Sequence, residues 1–74
     1  MKGPADQYEK IVVWSEEDDC FIGMCPDLFS GGVHGDDSLG VFKELLELVD
    51  EWVEIFKRDG RPLPQPKHSV LQAA

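Results

Sequence analysis

The clearest pattern along the chain is a proline-free segment at residues 38–59, in which apolar residues recur at helical spacing. Its core-facing side is predicted to carry positions 42, 45, 46, 49, 52, 53 and 56, which step by three and four. Asp36, Asp37 and Ser38 offer N-cap oxygens before the first turn. Gly60 follows two basic residues and is expected to end the helix in the left-handed conformation. These signals together predict one long amphipathic helix.

Two earlier segments have the composition of β-strands. Residues 8–14 are rich in β-branched and aromatic residues, and both faces of the second half are apolar, so we expect each side of the sheet to be covered. Residues 20–25 predict a second strand, in which Gly23 marks a close approach by another group. The polar residues 15–19 between them, of which 16–19 are acidic, predict a solvated hairpin turn. Val33 and His34 are expected to form a brief third strand.

The order of these elements is β-β-β-α, with a further strand possible at residues 68–72. It predicts an α+β domain, a three- to four-stranded mainly antiparallel sheet with one long helix packed across it. A chain of 74 residues has room for one domain. We expect a flexible N-terminus at residues 1–7, a folded domain at residues 8–66, and a C-terminal tail or edge strand at residues 67–74. The proline-rich residues 61–66 are expected to run extended.

The charge of the chain narrows the classes of partner. Fifteen acidic residues against seven basic ones give a net charge of −8. Direct binding to nucleic acid is not expected, because phosphate contacts need clustered Lys and Arg, and an anionic membrane would repel the chain. The sequence contains neither a segment of about 20 apolar residues nor a signal-peptide pattern, so a cytoplasmic location is expected. The charge favours a basic partner.

Candidate catalytic residues are few. A histidine near carboxylates, as in His34, Asp36 and Asp37, can act as a general base. The two aspartates are better explained as helix caps, and no nucleophile elbow, phosphate loop or zinc-protease motif is present. Cys20 and Cys25 are five residues apart in one strand, so their thiols should point to opposite faces and form neither a disulfide nor, with one nearby histidine, a zinc site. We predict no catalytic residue, no cofactor and no metal.

The ordered set of motifs resembles the HicB-like antitoxin family. Residues 21–28, Phe-Ile-Gly-Met-Cys-Pro-Asp-Leu, are similar to that family's aromatic-rich second strand and its Pro-Asp/Glu-Leu motif. Residues 32–37, Gly-Val-His-Gly-Asp-Asp, resemble its Gly-Asp-Thr turn before a long helix, and residues 60–66 resemble its Gly-x-x-hydrophobic-Pro-x-Pro tail. The resemblance spans about residues 8–66. Asp37 replaces the family's Thr, residues 39–41 replace an acidic pair and Ala, and no C-terminal DNA-binding domain is expected.

The resemblance implies a partial ribonuclease-H-like fold, self-association, and neutralisation of a small basic HicA-type toxin that cleaves mRNA. Leu28 and Phe29 are expected to anchor that partner, although packing within the core is an alternative for both. An acidic face of the helix is expected to attract the basic toxin, and its partner-binding residues are expected to be Glu44, Glu47, Glu51 and Glu54.

The first strand is also the expected site of self-association. Both faces of the first strand are apolar, and an aromatic residue lies near its end. We therefore expect Val12 and Trp14 to lie at a contact between copies, in a homodimer or a higher oligomer.

One alternative function is an orphan oligomeric scaffold of the same fold. The other is a metal-dependent nuclease that would use acids such as Asp18, Asp27 and Asp36.

Overall fold

Three antiparallel strands and one long helix make up the fold in a computed structural model that describes residues 3–66. The strands are β1 (Ile11–Ser15), β2 (Cys20–Met24) and β3 (Val33–Gly35), arranged in the order β1-β2-β3. The helix α1 (Ser38–Arg58) packs against this sheet. The predicted α+β class is therefore confirmed. The further strand predicted at residues 68–72 lies outside the described residues.

The chain before β1 differs from the prediction. A 3₁₀ helix that we did not predict spans Pro4–Gln7, and β1 begins at Ile11 rather than at residue 8. Tyr8 leaves the strand because its side chain is buried, and its hydroxyl donates to the backbone oxygen of Pro64 at 2.6 Å. The Lys10 ammonium group donates to two backbone oxygens just before it in the chain. The Tyr8 bond ties the N-terminal segment to the extended segment that follows the helix, and the Lys10 bonds hold the N-terminal segment to itself.

The alternation of side chains assigns each strand residue to one face of the sheet. Val12 lies opposite Gly23, which in turn lies opposite Val33, and this row faces α1. Val13, Ile22 and their neighbours therefore point to the other face. Within residues 3–66 only one of the two faces is covered by the helix. We expected both faces of the first strand to be covered, and α1 covers one of them.

Two glycines allow the helix to approach the sheet closely. A Cβ atom at Gly23 would lie 2.9 Å from Cγ1 of Val41, and one at Gly35 would lie 2.8 Å from Cγ2 of the same residue. Separations this short are far inside ordinary van der Waals contact, so both positions exclude larger residues. The close approach predicted at Gly23 is confirmed, and the residue that approaches is Val41.

The helix buries most of the predicted side, with Val41 added and positions 42 and 46 left out. Its buried residues are Val41, Leu45, Val49, Val53 and Phe56. The assignment of positions 42 and 46 to the core was wrong, since both side chains are 39% exposed. The physical reason is the width of the sheet. Three strands cover a narrow band of the helix surface, and Leu46, at the rim of the apolar arc, lies beyond that band.

Both ends of the helix follow the sequence signals. Asp37 is the N-cap, and its Oδ2 atom accepts a hydrogen bond from the Gly40 amide at 2.8 Å. At the other end Gly60 has a φ of 70°, and the amide of Arg61 donates to the carbonyl oxygen of Phe56. The Arg61 guanidinium also lies 4.6 Å from the centre of the Phe56 ring, a cation–π contact. The predicted cap and stop are both confirmed.

Replacing the cap tests its contribution to stability. The variant Asp37→Ala should lower the free energy of unfolding by about 0.5–2 kcal/mol, because one amide of the first turn loses its acceptor. Urea denaturation followed by circular dichroism measures the change. Asp36→Ala is the matched control, since it removes an adjacent carboxylate outside the cap. Equal losses in the two variants would contradict a specific capping role.

Candidate functional site

A groove lined by three glutamates lies along one side of α1. Glu44, Glu47 and Glu51 line it together with the apolar side chains of Val33 and Leu48, and it encloses about 410 Å³. We call this set of five residues the acidic groove. All three glutamates are exposed, and none forms an ion pair or side-chain hydrogen bond within residues 3–66. The groove thus presents unneutralised negative charge beside an apolar strip.

The spacing of the glutamates explains why they share one side. Residues three and four positions apart are neighbours on a helix surface, so Glu44, Glu47 and Glu51 are adjacent. Like charges at this spacing destabilise an isolated helix by about 0.2–0.5 kcal/mol per pair. The arrangement therefore does not serve the stability of α1. It is a feature of the surface that needs another explanation.

The sequence did not identify the apolar lining of the acidic groove. Leu48 falls outside the predicted core-facing positions, and Val33 was assigned to a strand without a site role. They meet because β3 lies at the edge of the sheet next to this side of the helix. A signal was available, since Leu48 is an apolar residue among acidic ones.

The fourth predicted acid, Glu54, lies apart from the acidic groove. It lines two other depressions, one of them shared with Lys57 and Arg58. These two cations belong to the last turn of the helix, where they complement the helix dipole. Glu54 follows Glu51 by three residues on the same side of α1, so it extends the acidic surface although it does not line the groove. The groove groups three of the four predicted glutamates.

The two predicted apolar anchors have different environments. Leu28 is 6% exposed and belongs to the core, so the packing alternative describes it. It is turned inward by a tight turn, in which the amides of Leu28 and Phe29 both donate to the carbonyl oxygen of Cys25. Phe29 is half-buried, and its ring stacks on that of Trp52 at 5.7 Å between centres. Only Phe29 retains surface that a partner can reach.

The residues predicted for self-association also divide. Val12 packs against the core beneath the helix. Trp14 is 48% exposed, and its ring meets the Phe21 ring edge-on at 5.0 Å. Its neighbour Val13, which we did not single out, is 42% exposed on the uncovered face of the sheet. Alternation along the strand was the signal for Val13.

The candidate catalytic groups lie in separate environments. His34 is exposed on the open face of the sheet, whereas Asp37 is engaged as the helix cap. Within residues 3–66 no three His, Cys, Asp or Glu side chains are grouped so that they could hold a metal ion. Cys20 and Cys25 are both free thiols, and burial raises the pKa of the Cys25 thiol. That thiol is fully buried, so its role is packing.

No protein family, no curated protein and no solved structure gives a significant match to this chain. In the part of the chain that the structure describes, no helix combines the length and apolarity needed to cross a membrane. The class defined by fold and surface is a small α+β domain with an acidic groove along its helix.

Proposed function

We propose that this protein is a HicB-like antitoxin or a related interaction module. It would bind a small basic HicA-type toxin that cleaves mRNA and neutralise it by protein–protein contact. The observation that carries the proposal is the acidic groove, because it combines an apolar lining with carboxylates that have no partner among residues 3–66. A basic segment with apolar side chains is the ligand that such a surface complements.

The positions of the resembling motifs support the family part of the proposal. Residues 26–28 form the turn after β2, residues 32–37 lead through β3 into α1, and residues 60–66 leave the helix without regular structure. Asp37 stands where the family has Thr and still caps the helix through Gly40. We include the partial ribonuclease-H-like relationship of the fold in this proposal.

The two components of the acidic groove would have different effects on binding. The net charge of −8 attracts a basic partner over distance and accelerates its encounter, and the glutamates of the groove orient it. Affinity would come from burial of Val33 and Leu48 against apolar groups of the toxin. Phe29, half-buried on Trp52, is a further contact toward the end of the helix.

Co-expression with a small basic protein encoded by a neighbouring gene, chosen for its HicA-type sequence, tests the proposal. The wild-type chain should co-purify with that protein and abolish its mRNA cleavage. Glu47→Gln combined with Glu51→Gln should lower the association rate about tenfold at low salt, since both charges lie in the groove. The control, Glu17→Gln with Asp36→Asn, also removes two negative charges from exposed positions. It should leave the association rate close to that of the wild type.

Two results would contradict the proposal in different ways. Undiminished mRNA cleavage in the presence of excess wild-type chain would reject the antitoxin function. Equal loss of rate in both double variants would keep the partner but reject the acidic groove as its site. Surface plasmon resonance at two salt concentrations gives the rates and separates steering from contact.

A further inference from the structure

The outer edge of β3 is the part of the sheet that adjoins the acidic groove. Within residues 3–66 β3 pairs with β2 alone, so the N–H and C=O groups on its other side have no strand beside them. Val33, the first residue of β3, also lines the groove. A strand that paired with β3 would therefore lie directly below the groove.

β3 lacks most of the features that keep other strands from pairing with a sheet edge. Charged side chains, prolines and bulges commonly protect such edges. β3 has a regular register with β2 and consists of Val33, His34 and Gly35. The exposed residues 30–32 before it are a serine and two glycines, so no long side chain there blocks the approach of a second backbone. Its protection is its short length, which restricts pairing to a ligand that has a further point of contact.

The acidic groove supplies that further contact. Side chains of an added strand would alternate between the two faces of the sheet, and those on the face of Val33 would point toward the groove. Long basic side chains fit there, because their methylene groups can pack on Val33 and Leu48 while their charged ends reach the exposed glutamates.

The spacing of the glutamates also matches a basic strand. At 1.5 Å per residue, Glu44 and Glu51 lie about 10.5 Å apart along the axis of α1. Basic residues at alternate positions of a strand are about 6.6 Å apart. Two or three successive basic residues on one side of the strand therefore cover the length of the groove.

The opposite face of the sheet is apolar up to its β3 edge. Val13, Ile22 and His34 form one row across the three strands on this open face, and Val13 is 42% exposed. The remaining side chains of an added strand would extend this row beyond His34. Apolar side chains suit that position, so the ligand that fits both faces is an extended segment in which basic and apolar residues alternate.

We propose that the partner of the acidic groove pairs an extended segment with β3, placing basic side chains in the groove and apolar ones on the open face. Main-chain hydrogen bonds to β3 would give the contact its register, and the alternating side chains would give it specificity. Only the identity of the partner rests on the proposed function, since the binding mode can be tested with peptides alone.

The C-terminal residues 67–74 of the same chain are the alternative occupant of this edge. Two observations favour a basic partner instead. Tyr8, three residues before β1, bonds to Pro64, so the described chain ends near the entry to β1 rather than beside β3. Residues 67–74 also contain one lysine and no arginine, which complements three glutamates poorly.

Two peptides of the same composition test the binding mode. Acetylated Lys-Val-Lys-Val-Lys-Val presents basic and apolar residues on opposite faces, and acetylated Lys-Lys-Lys-Val-Val-Val is the control with equal charge. Isothermal titration calorimetry on the full chain should give at least about tenfold tighter binding for the alternating peptide. Equal affinities would overturn the proposal, because attraction by net charge is then sufficient. Failure of both peptides to bind at millimolar concentration would also overturn it.

Hydrogen exchange measured by NMR locates the bound peptide. The amides of residues 32–36 that do not bond to β2 should exchange rapidly in the free chain, and the alternating peptide should slow them at least about tenfold. Slow exchange of these amides in the free chain would mean that the edge is already occupied by the chain itself. Slowing at β1 instead of β3 would place the peptide on the other edge. Either result would overturn the proposal.

Backbone methylation of the alternating peptide tests strand pairing directly. N-methylation of its valines or of its lysines blocks hydrogen bonds along opposite edges of the peptide. One of the two methylated peptides should therefore lose binding, and the other should retain it. Equal behaviour of the two would contradict pairing with β3.

Charge removal tests the position of the basic side chains. Glu47→Gln combined with Glu51→Gln should weaken binding of the alternating peptide at least about threefold. The control, Glu16→Gln with Glu17→Gln, removes two exposed charges in the hairpin turn and should leave the affinity unchanged. Equal weakening by both pairs would reject the groove as the site of the basic residues. These outcomes do not depend on whether a HicA-type protein is neutralised, so failure of the binding mode and failure of the proposed function are distinguishable.

Discussion

Replacing Leu45 by alanine is expected to lower the free energy of unfolding by about 2–5 kcal/mol. Leu45 is fully buried at the centre of the core, where its side chain packs beside the Gly23 position. The loss combines the transfer free energy of the deleted atoms with the cost of the cavity that remains. A domain of 74 residues has a total stability of about 4–11 kcal/mol, so this one substitution can unfold most of the population.

Leu39→Ala provides the matched control for this prediction. The same atoms are deleted from the same helix, but Leu39 is 78% exposed. Its loss should be within about 0.5 kcal/mol, as for ordinary surface substitutions. Urea denaturation at equal protein concentrations measures both variants. Similar losses at the two positions would contradict the core assigned to α1.

Replacing Gly23 by alanine is expected to lower the free energy of unfolding by about 1–3 kcal/mol. The added Cβ would lie 2.9 Å from Cγ1 of Val41 and 3.3 Å from Cδ2 of Leu45. Val41 cannot give way easily, because its β-branched side chain has one strongly preferred rotamer in a helix. The helix must therefore move away from the sheet. Without this contact, alanine would stabilise the chain by reducing the entropy of the unfolded state.

A double-mutant cycle separates the steric effect from other consequences of Gly23→Ala. Val41→Ala removes the atoms that the new Cβ would meet, so the double variant should lose less stability than the sum of the two single variants. Gly3→Ala is the control, since nothing lies within 4 Å of a Cβ at that position. Additive losses in the cycle, or a more stable Gly23→Ala variant, would contradict the close approach.

Local features of the fold were predictable because their signals are local. The helix at Ser38–Arg58 follows from apolar residues that recur every three or four positions. Its cap at Asp37 and its stop at Gly60 follow from residues next to its first and last turns. The strands β1 and β2 follow from composition and from the acidic turn between them. In that turn the amide of Asp18 donates to the Ser15 hydroxyl oxygen, as a short polar connection requires.

Features that join distant parts of the chain were not predictable in the same way. Tyr8 was assigned to a strand on its composition, yet its hydroxyl is bonded to Pro64, 56 residues later. The spacing of apolar and polar residues along the chain gives no sign of this hydrogen bond. In the candidate site, too, one part was predictable and another was not. The glutamates were apparent from their helical spacing. Val33 joined them only through the position of β3 beside the helix.

By itself the sequence determined that this protein has three strands, a long helix with defined ends, and an excess of negative charge. These properties arise from neighbouring residues, so spacing and composition suffice. The tertiary structure alone decided which part of the wide apolar side of α1 is buried. Helical spacing defines an arc of apolar residues on the helix. The edge of the three-stranded sheet determines how much of that arc is buried. That edge places Leu45 in the core and leaves Leu46 at the surface.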